Sequence, residues 1–126
     1  MPNVIFLNDT IVEETAGRLS TLDRGFLYGD GVFETLRSYN KKLEDHVTRL
    51  SHSARYFDIP FRYTTQQIRP IIEQLLTLND CRDAYIRMTL SRGFGTHGLI
   101  PADTCTPTFV IHAKPFVDYS ASSYKT

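Results

Sequence analysis

The chain has 126 residues, enough for one domain and too few for two well-built ones. Its 14 basic and 14 acidic side chains cancel, so it lacks the cationic excess that neutralises nucleic-acid phosphates, and no nucleic-acid partner is expected. Hydrophobic residues at 41% and aromatics at 12% exceed what a disordered tail carries. No apolar run reaches the roughly 18–20 residues of a membrane span, so no membrane partner is expected either. The opening stretch Met1–Asn8 is too short and too quickly polar for a signal peptide. Cys81 and Cys105 have no partner at metal-ligand spacing, and they read as reduced thiols of a cytoplasmic protein.

In chain order, Val4-Ile5-Phe6-Leu7 and Ile11-Val12 flank Asn8-Asp9, which predicts a hairpin closed by two residues that tolerate positive φ. A polar connector covers Thr15–Asp23. Gly25 to Gly31 then packs three glycines into seven positions. It lacks the order of a phosphate loop and precedes a strand instead of opening a helix, so its glycines read as strained backbone or a close approach by another segment. Alternation over Val32–Tyr39 predicts a strand with Val32, Glu34 and Leu36 on one face and Phe33, Thr35 and Arg37 on the other. Asn40-Lys41-Lys42 is a turn, and Leu43 begins a further short strand.

Asp45 is placed to cap a helix whose stripe is Val47, Leu50, Ala54 and Phe57, ended by Ile59-Pro60. Thr64 to Gln67 offers a capping box for a second helix with Ile68, Ile71, Ile72, Leu75 and Leu76 on its apolar side. Pro70 falls at or just past the first turn, and Asn79-Asp80 closes the helix. Ala84–Ser91 reads as a strand, Arg92–Gly98 as a glycine loop and Thr108–His112 as a last strand. Strands and helices are segregated, which predicts an α+β fold of two layers, a mostly antiparallel sheet with two helices on one face. From Phe116 to Thr126 the composition turns small and polar, as in a linker leaving a domain boundary.

Taken alone, few of these residues announce chemistry. Phe33, Thr35 and Arg37 read as a solvated or half-covered sheet face, and Arg49 as a surface arginine on a helix. Tyr85 and Arg87 read as a half-buried tyrosine and an exposed cation, and His97 as an exposed histidine in a glycine loop. No Ser-His-Asp or Cys-His arrangement follows from spacing.

The stretch Asp23-Arg24-Gly25-Phe26-Leu27-Tyr28-Gly29-Asp30-Gly31-Val32-Phe33-Glu34-Thr35-Leu36-Arg37 resembles the N-terminal domain of class IV (fold type IV) pyridoxal-phosphate enzymes. That family includes branched-chain and D-amino-acid aminotransferases and aminodeoxychorismate lyases. The resemblance continues through Asp45-His46-Val47-Thr48-Arg49-Leu50, Ala84-Tyr85-Ile86-Arg87 and Ser91-Arg92-Gly93-Phe94-Gly95, and so covers essentially the whole chain. It implies that Arg49 grips the phosphate of a pyridoxal 5'-phosphate cofactor, where a guanidinium fork suits a dianion. It also implies that Tyr28 and Phe33 line a substrate side-chain pocket, with Arg37 on Phe33's face. Tyr85 and Arg87 match the Tyr-x-Arg of branched-chain aminotransferases and would lie beside the substrate carboxylate or an acidic side chain. His97 stands in the loop where D-amino-acid aminotransferases and lyases often carry an arginine.

The family's Schiff-base lysine belongs to a second domain. Of Lys41, Lys42, Lys114 and Lys125 none matches its context, so no catalytic residue is expected in this chain. The resemblance thus divides the chain into an N-terminal domain over 1–115 and an interdomain linker over 116–126, with the C-terminal domain missing. The complete protein would be a homodimeric aminotransferase acting on an amino acid and a 2-oxo acid. Two alternatives stand beside it: aminodeoxychorismate lyase, and a non-catalytic dimerising scaffold of the same fold.

Overall fold

The structure, a computed structural model, describes residues 2–38, 42–95 and 105–116. Strands β1 (Val4–Leu7) and β2 (Thr10–Glu13) pair antiparallel with Leu7 opposite Thr10, which leaves Asn8 and Asp9 as a two-residue turn. Their φ angles of 45° and 73° are the left-handed pair that this tight hairpin requires. A single 3-10 turn, Glu14–Ala16, follows. Then come a short helix α1 (Arg24–Tyr28), strand β3 (Gly31–Arg37), helices α2 (Leu43–Tyr56) and α3 (Thr65–Leu78), and strands β4 (Ala84–Phe94) and β5 (Thr106–Pro115). The five strands form one antiparallel sheet in the order β2-β1-β5-β4-β3, so β3 is an edge strand.

Both long helices cover the same sheet face. Leu43, Val47, Leu50 and Ala54 from α2 and Ile68, Ile72 and Leu75 from α3 meet Leu36, Ile86, Met88, Leu90, Phe109, Ile111 and Ala113, all buried. This is the two-layer α+β fold expected from the sequence. On β4 burial alternates residue by residue, with Ala84, Ile86, Met88 and Leu90 inward and Tyr85 and Arg87 outward. The sheet therefore has a packed face and an open one.

Several local expectations are corrected. Leu43 opens no strand; it is the first apolar residue of α2, in helical register with Val47, Leu50 and Ala54. The N-cap of α2 is Lys42, with no side-chain cap, while Glu44 and Asp45 lie in the first turn, where their charge offsets the helix dipole. Phe57 leaves the stripe and is half exposed, because the helix has already ended. Asp58 takes a left-handed φ of 56°, Ile59 N donates to Ala54 O at 2.8 Å and Asp58 N to Arg55 O at 3.1 Å, a Schellman stop ahead of the proline.

Helix α3 has the predicted capping box between Thr64 and Gln67, and Pro70 lies inside it just past the first turn, as read. It ends in the same way at Asp80, and Asn79 ties that end to the sheet, accepting from Val4 N at 2.7 Å and donating to the Val4 and Ala113 carbonyls. The expected glycine loop begins late, since Arg92, Gly93 and Phe94 still belong to β4 beyond an irregularity in its pairing with β5. The turn at Asn40-Lys41 lies outside the described residues.

Candidate functional site

The close approach by another segment read from the glycines of Gly25 to Gly31 is present at Gly25, and the stretch is pinned by a buried charge cluster. Asp23 caps α1 and is 1% exposed; its Oδ1 accepts from Gly25 N at 2.8 Å and Ser91 Oγ at 2.7 Å, and its Oδ2 from Thr108 Oγ1 at 2.7 Å. A Cβ on Gly25 would lie 2.7 Å from that of Ser91, so α1 can approach β4 this closely only through a glycine. Gly29 closes the helix at a left-handed φ of 66°. Arg24, also buried, donates to Asp30 Oδ2 at 3.1 Å, and Arg92 donates to the same oxygen at 2.7 Å. Arg92 reaches on to the Phe57 and Asp58 carbonyls at 2.6 and 3.0 Å, which ties α1 to the C-terminus of α2. Burial pushes the Asp30 carboxyl up, but the hydrogen bonds and charges of Arg92 and Arg24 outweigh it and hold the group below the usual carboxylate range.

With its base fixed, α1 presents Phe26, Leu27 and Tyr28 outward, and the Arg24 guanidinium lies 4.7 Å from the Tyr28 ring centre. Local sequence patterns missed the cluster because its members are far apart along the chain. The signal available was the unusual Asp-Arg-Gly and Gly-Asp-Gly pairing of charge with glycine.

Phe33, Arg37, Tyr85 and Arg87 come together on the open sheet face, where the register sets Phe33 opposite Thr89, Thr35 opposite Arg87 and Arg37 opposite Tyr85. The two arginines differ. Arg37 makes a two-pronged ion pair with Asp83 at 2.9 and 2.6 Å and lies 3.6 Å over the Phe116 ring. Asp83 is held below its ordinary range chiefly by that hydrogen bond. Arg87 lies 4.2 Å over the Phe33 ring and donates through Nε to Thr89 Oγ1 at 3.1 Å. Its two terminal nitrogens have no hydrogen-bond partner among the described residues.

Arg49 stands on the other side of β3, on α2. Its Nε and Nη2 donate to Glu34 Oε1 at 3.2 and 3.0 Å, and His46 Nδ1 is 2.9 Å from the same oxygen. The same Nδ1 is 2.9 Å from Arg49 Nη2, so it donates to Glu34 in one tautomer and accepts from Arg49 in the other, and Glu34, His46 and Arg49 form one polar cluster. The Arg49 side chain is 61% exposed and its Nη1 has no partner among the described residues. Arg49 and the Phe33–Arg87 pair thus flank the same edge strand, β3, from opposite faces. His97 lies outside the described residues, as do Lys41 and Lys125, while Lys114 pairs with Glu14 at 3.2 Å.

A cavity of about 490 Å³ lies elsewhere, against the aromatic cluster of Phe61, Tyr63 and Phe109, and none of the sequence-predicted site residues lines it. Among the described residues no group of His, Cys, Asp or Glu could hold a metal ion, and no helix is long and apolar enough to cross a membrane. Both cysteines are free thiols, and burial pushes the Cys81 thiol up.

The fold is shared with the branched-chain amino acid aminotransferase of Escherichia coli, with a TM-score of 0.84 over 94% of this chain and 41% of that one, at 23% identity. It is the fold of the N-terminal domain of class IV aminotransferases. In sequence, the chain is 39% identical over 114 residues to a putative branched-chain-amino-acid aminotransferase of Methanocaldococcus jannaschii, covering 88% of this chain and 40% of the relative. It is 35% identical over 120 residues to the aminodeoxychorismate lyase of Bacillus subtilis, covering 89% and 41%. The model of the amino-transferase class IV family matches residues 31–126, and the chain belongs to that family. It spans about 40% of the length of these curated relatives.

Proposed function

We propose that residues 1–115 are the cofactor- and substrate-contacting N-terminal domain of a pyridoxal-phosphate-dependent aminotransferase, and that 116–126 lead to a second domain that completes the site. The observation that carries this reading is the pair of guanidinium groups, Arg49 and Arg87, on the two sides of the edge strand β3, each with a donor left unpaired among the described residues. The donor set fits the cofactor: a guanidinium already oriented by Glu34, with Nη1 available, matches a phosphate dianion in charge and geometry. When bound, pyridoxal phosphate supplies the electron sink that amino-group transfer needs.

The chain's own residues then bind and orient. Arg49 holds the phosphate, with Glu34 and His46 fixing the direction of its side chain. Phe33 and Tyr28 form an apolar wall that keeps water from the substrate side chain, and Arg87, braced on the Phe33 ring, offers its terminal nitrogens to a carboxylate. Arg37 lines the same face but is tied to Asp83 and Phe116, so it shapes the wall and anchors the start of the linker. The exposed Leu22, Phe26 and Leu27 beside Tyr28 are the surface that a second copy or the second domain covers, consistent with a cytoplasmic homodimer.

The complete protein, supplied with the cofactor, is expected to exchange an amino group between a labelled amino acid and a 2-oxo acid. Absence of exchange from a cofactor-loaded protein contradicts the reading. Release of pyruvate from aminodeoxychorismate would replace it by the lyase, the alternative that the 35% identity to the Bacillus subtilis enzyme keeps open.

A further inference from the structure

Arg24 and Tyr28 stand four residues apart on α1, so their side chains lie on one face of the helix. The Arg24 guanidinium is 4.7 Å from the centre of the Tyr28 ring. Arg24 is 1% exposed and Tyr28 41% exposed, so the cation backs the ring from the protein side and leaves the remainder of the ring open. The cation is itself fixed. Arg24 Nε donates to Asp30 Oδ2 at 3.1 Å, and Arg92 holds the same oxygen while donating to the carbonyls that end α2. The backbone beneath the ring is fixed as well: Asp23 caps α1, and the Gly29 N–H donates to the Gly25 carbonyl at 3.0 Å where the chain turns left-handed. A half-exposed tyrosine ending so short a helix would otherwise exchange rotamers, and a ligand would have to order it on binding. A desolvated guanidinium within about 6 Å of a ring centre holds that ring in one orientation.

We infer that Arg24 is a positioning residue of the substrate pocket: its guanidinium sets the Tyr28 ring in the orientation that receives an apolar substrate side chain. The inference rests on the reading of Tyr28 as a wall of that pocket. Arg24 is too deeply buried to meet a ligand, so its contribution passes through the ring. A wall ordered before the substrate arrives binds it more tightly than one the substrate must order.

The test uses the complete cofactor-loaded protein and measures its affinity for 4-methylvalerate, an apolar acid with no amino or oxo group to exchange. Arg24→Met is expected to weaken binding about three- to tenfold, and Arg24→Lys, which keeps a cation, to weaken it less. Both substitutions are then repeated in Tyr28→Phe and Tyr28→Leu. The dependence on Arg24 should persist in Tyr28→Phe, which keeps the ring, and vanish in Tyr28→Leu, which removes it. A merely structural arginine would lose the same factor in all three backgrounds, since a loosened α1 harms binding whatever stands at position 28. Denaturation midpoints identify the folded variants, and Arg24→Lys carries the comparison where Arg24→Met does not fold. Affinity unchanged in the folded Arg24 variants, an equal loss in Tyr28→Leu, or no binding by the wild type would each overturn the inference. Cofactor absorbance and amino-group exchange on the same samples separate the two readings. Equal losses in a protein that holds the cofactor and exchanges amino groups remove only the role of Arg24, whereas a protein that holds no cofactor removes the aminotransferase reading.

Discussion

Two sets of arginines in this small domain face opposite fates. Arg24 and Arg92 lie beneath α1, where Asp30 and the carbonyls ending α2 take up their donors next to the triply hydrogen-bonded Asp23. Arg49 and Arg87 lie on either side of β3, Arg49 held by Glu34 and Arg87 by Thr89 and the Phe33 ring, and each keeps at least one terminal nitrogen without a hydrogen-bond partner among the described residues. The first set is charge consumed by structure. The second is charge that the structure aims but leaves incomplete, as a protein does where a ligand is to finish the job. The same residue type serves as fastener or as receptor according to how many of its donors the fold already satisfies.

The largest effect expected from breaking this contrast is at Asp23. Asp23→Ala strands the Ser91 and Thr108 hydroxyls and the Gly25 N–H in the interior, and it should lower unfolding free energy by roughly 3 kcal/mol or more, read from denaturant midpoints. Leu50→Ala, which opens a cavity in the helix–sheet layer, provides a yardstick of about 2–5 kcal/mol. Equal stability of Asp23→Ala and wild type would show that the cluster under α1 is not a fastener.

Acid titration sharpens the contrast in two windows. The folded-state value of Asp30 is lowered, so its contribution to stability is complete above the unfolded carboxylate value near 3.8 and is lost as the pH falls through the folded one. Asp30→Asn should therefore be less stable than wild type at neutral pH, and the difference should shrink below about pH 4. His112 is also lowered, so its stabilising effect is complete above about 6.5 and is lost as the pH drops from there through its folded value. In His112→Phe, the stability slope between neutral and mildly acid pH should flatten. A slope unchanged by the substitution would place the loss on other groups.

How far the sequence could be read follows the same divide between local and distant contacts. The hairpin at Asn8-Asp9, the capping box at Thr64-Gln67 and the two-faced pattern of β3 are short-range signals, and each is present as expected. Leu43 and Asp58 misled because helix limits are set by which residues pack and by a left-handed stop, not by the nearest proline. The helix α1 was hidden by its own glycines, although the close approach read from them is the contact that Gly25 makes with β4. Of the site, Phe33, Arg37, Tyr85 and Arg87 could be grouped by periodicity once the strands were found, but Arg49 was singled out only by family resemblance. Its partner Glu34 points to the opposite face from Phe33, and no local pattern links them. The Asp30–Arg92 contact, 62 residues apart, is equally invisible to periodicity.

At the small end, substitutions in the incomplete set should barely touch the fold. Phe33→Ala and Arg49→Ala remove side chains that are more than half exposed, and each should change stability by no more than about 0.5–1 kcal/mol in the same denaturation assay. A loss comparable to that of Leu50→Ala would make them structural and erase the contrast.

The most direct measurement of the central claim is titration of the complete apoprotein with pyridoxal phosphate for wild type, Arg49→Ala and Arg49→Lys, with folding checked in parallel. Charge-assisted hydrogen bonds to a phosphate contribute roughly 1.5–3 kcal/mol each, so Arg49→Ala should weaken binding by about one to two orders of magnitude. Arg49→Lys should recover part of that loss, because an ammonium keeps the charge but not the fork. Identical affinities in the three folded proteins would contradict the account, since Arg49 would then be an ordinary surface arginine paired with Glu34.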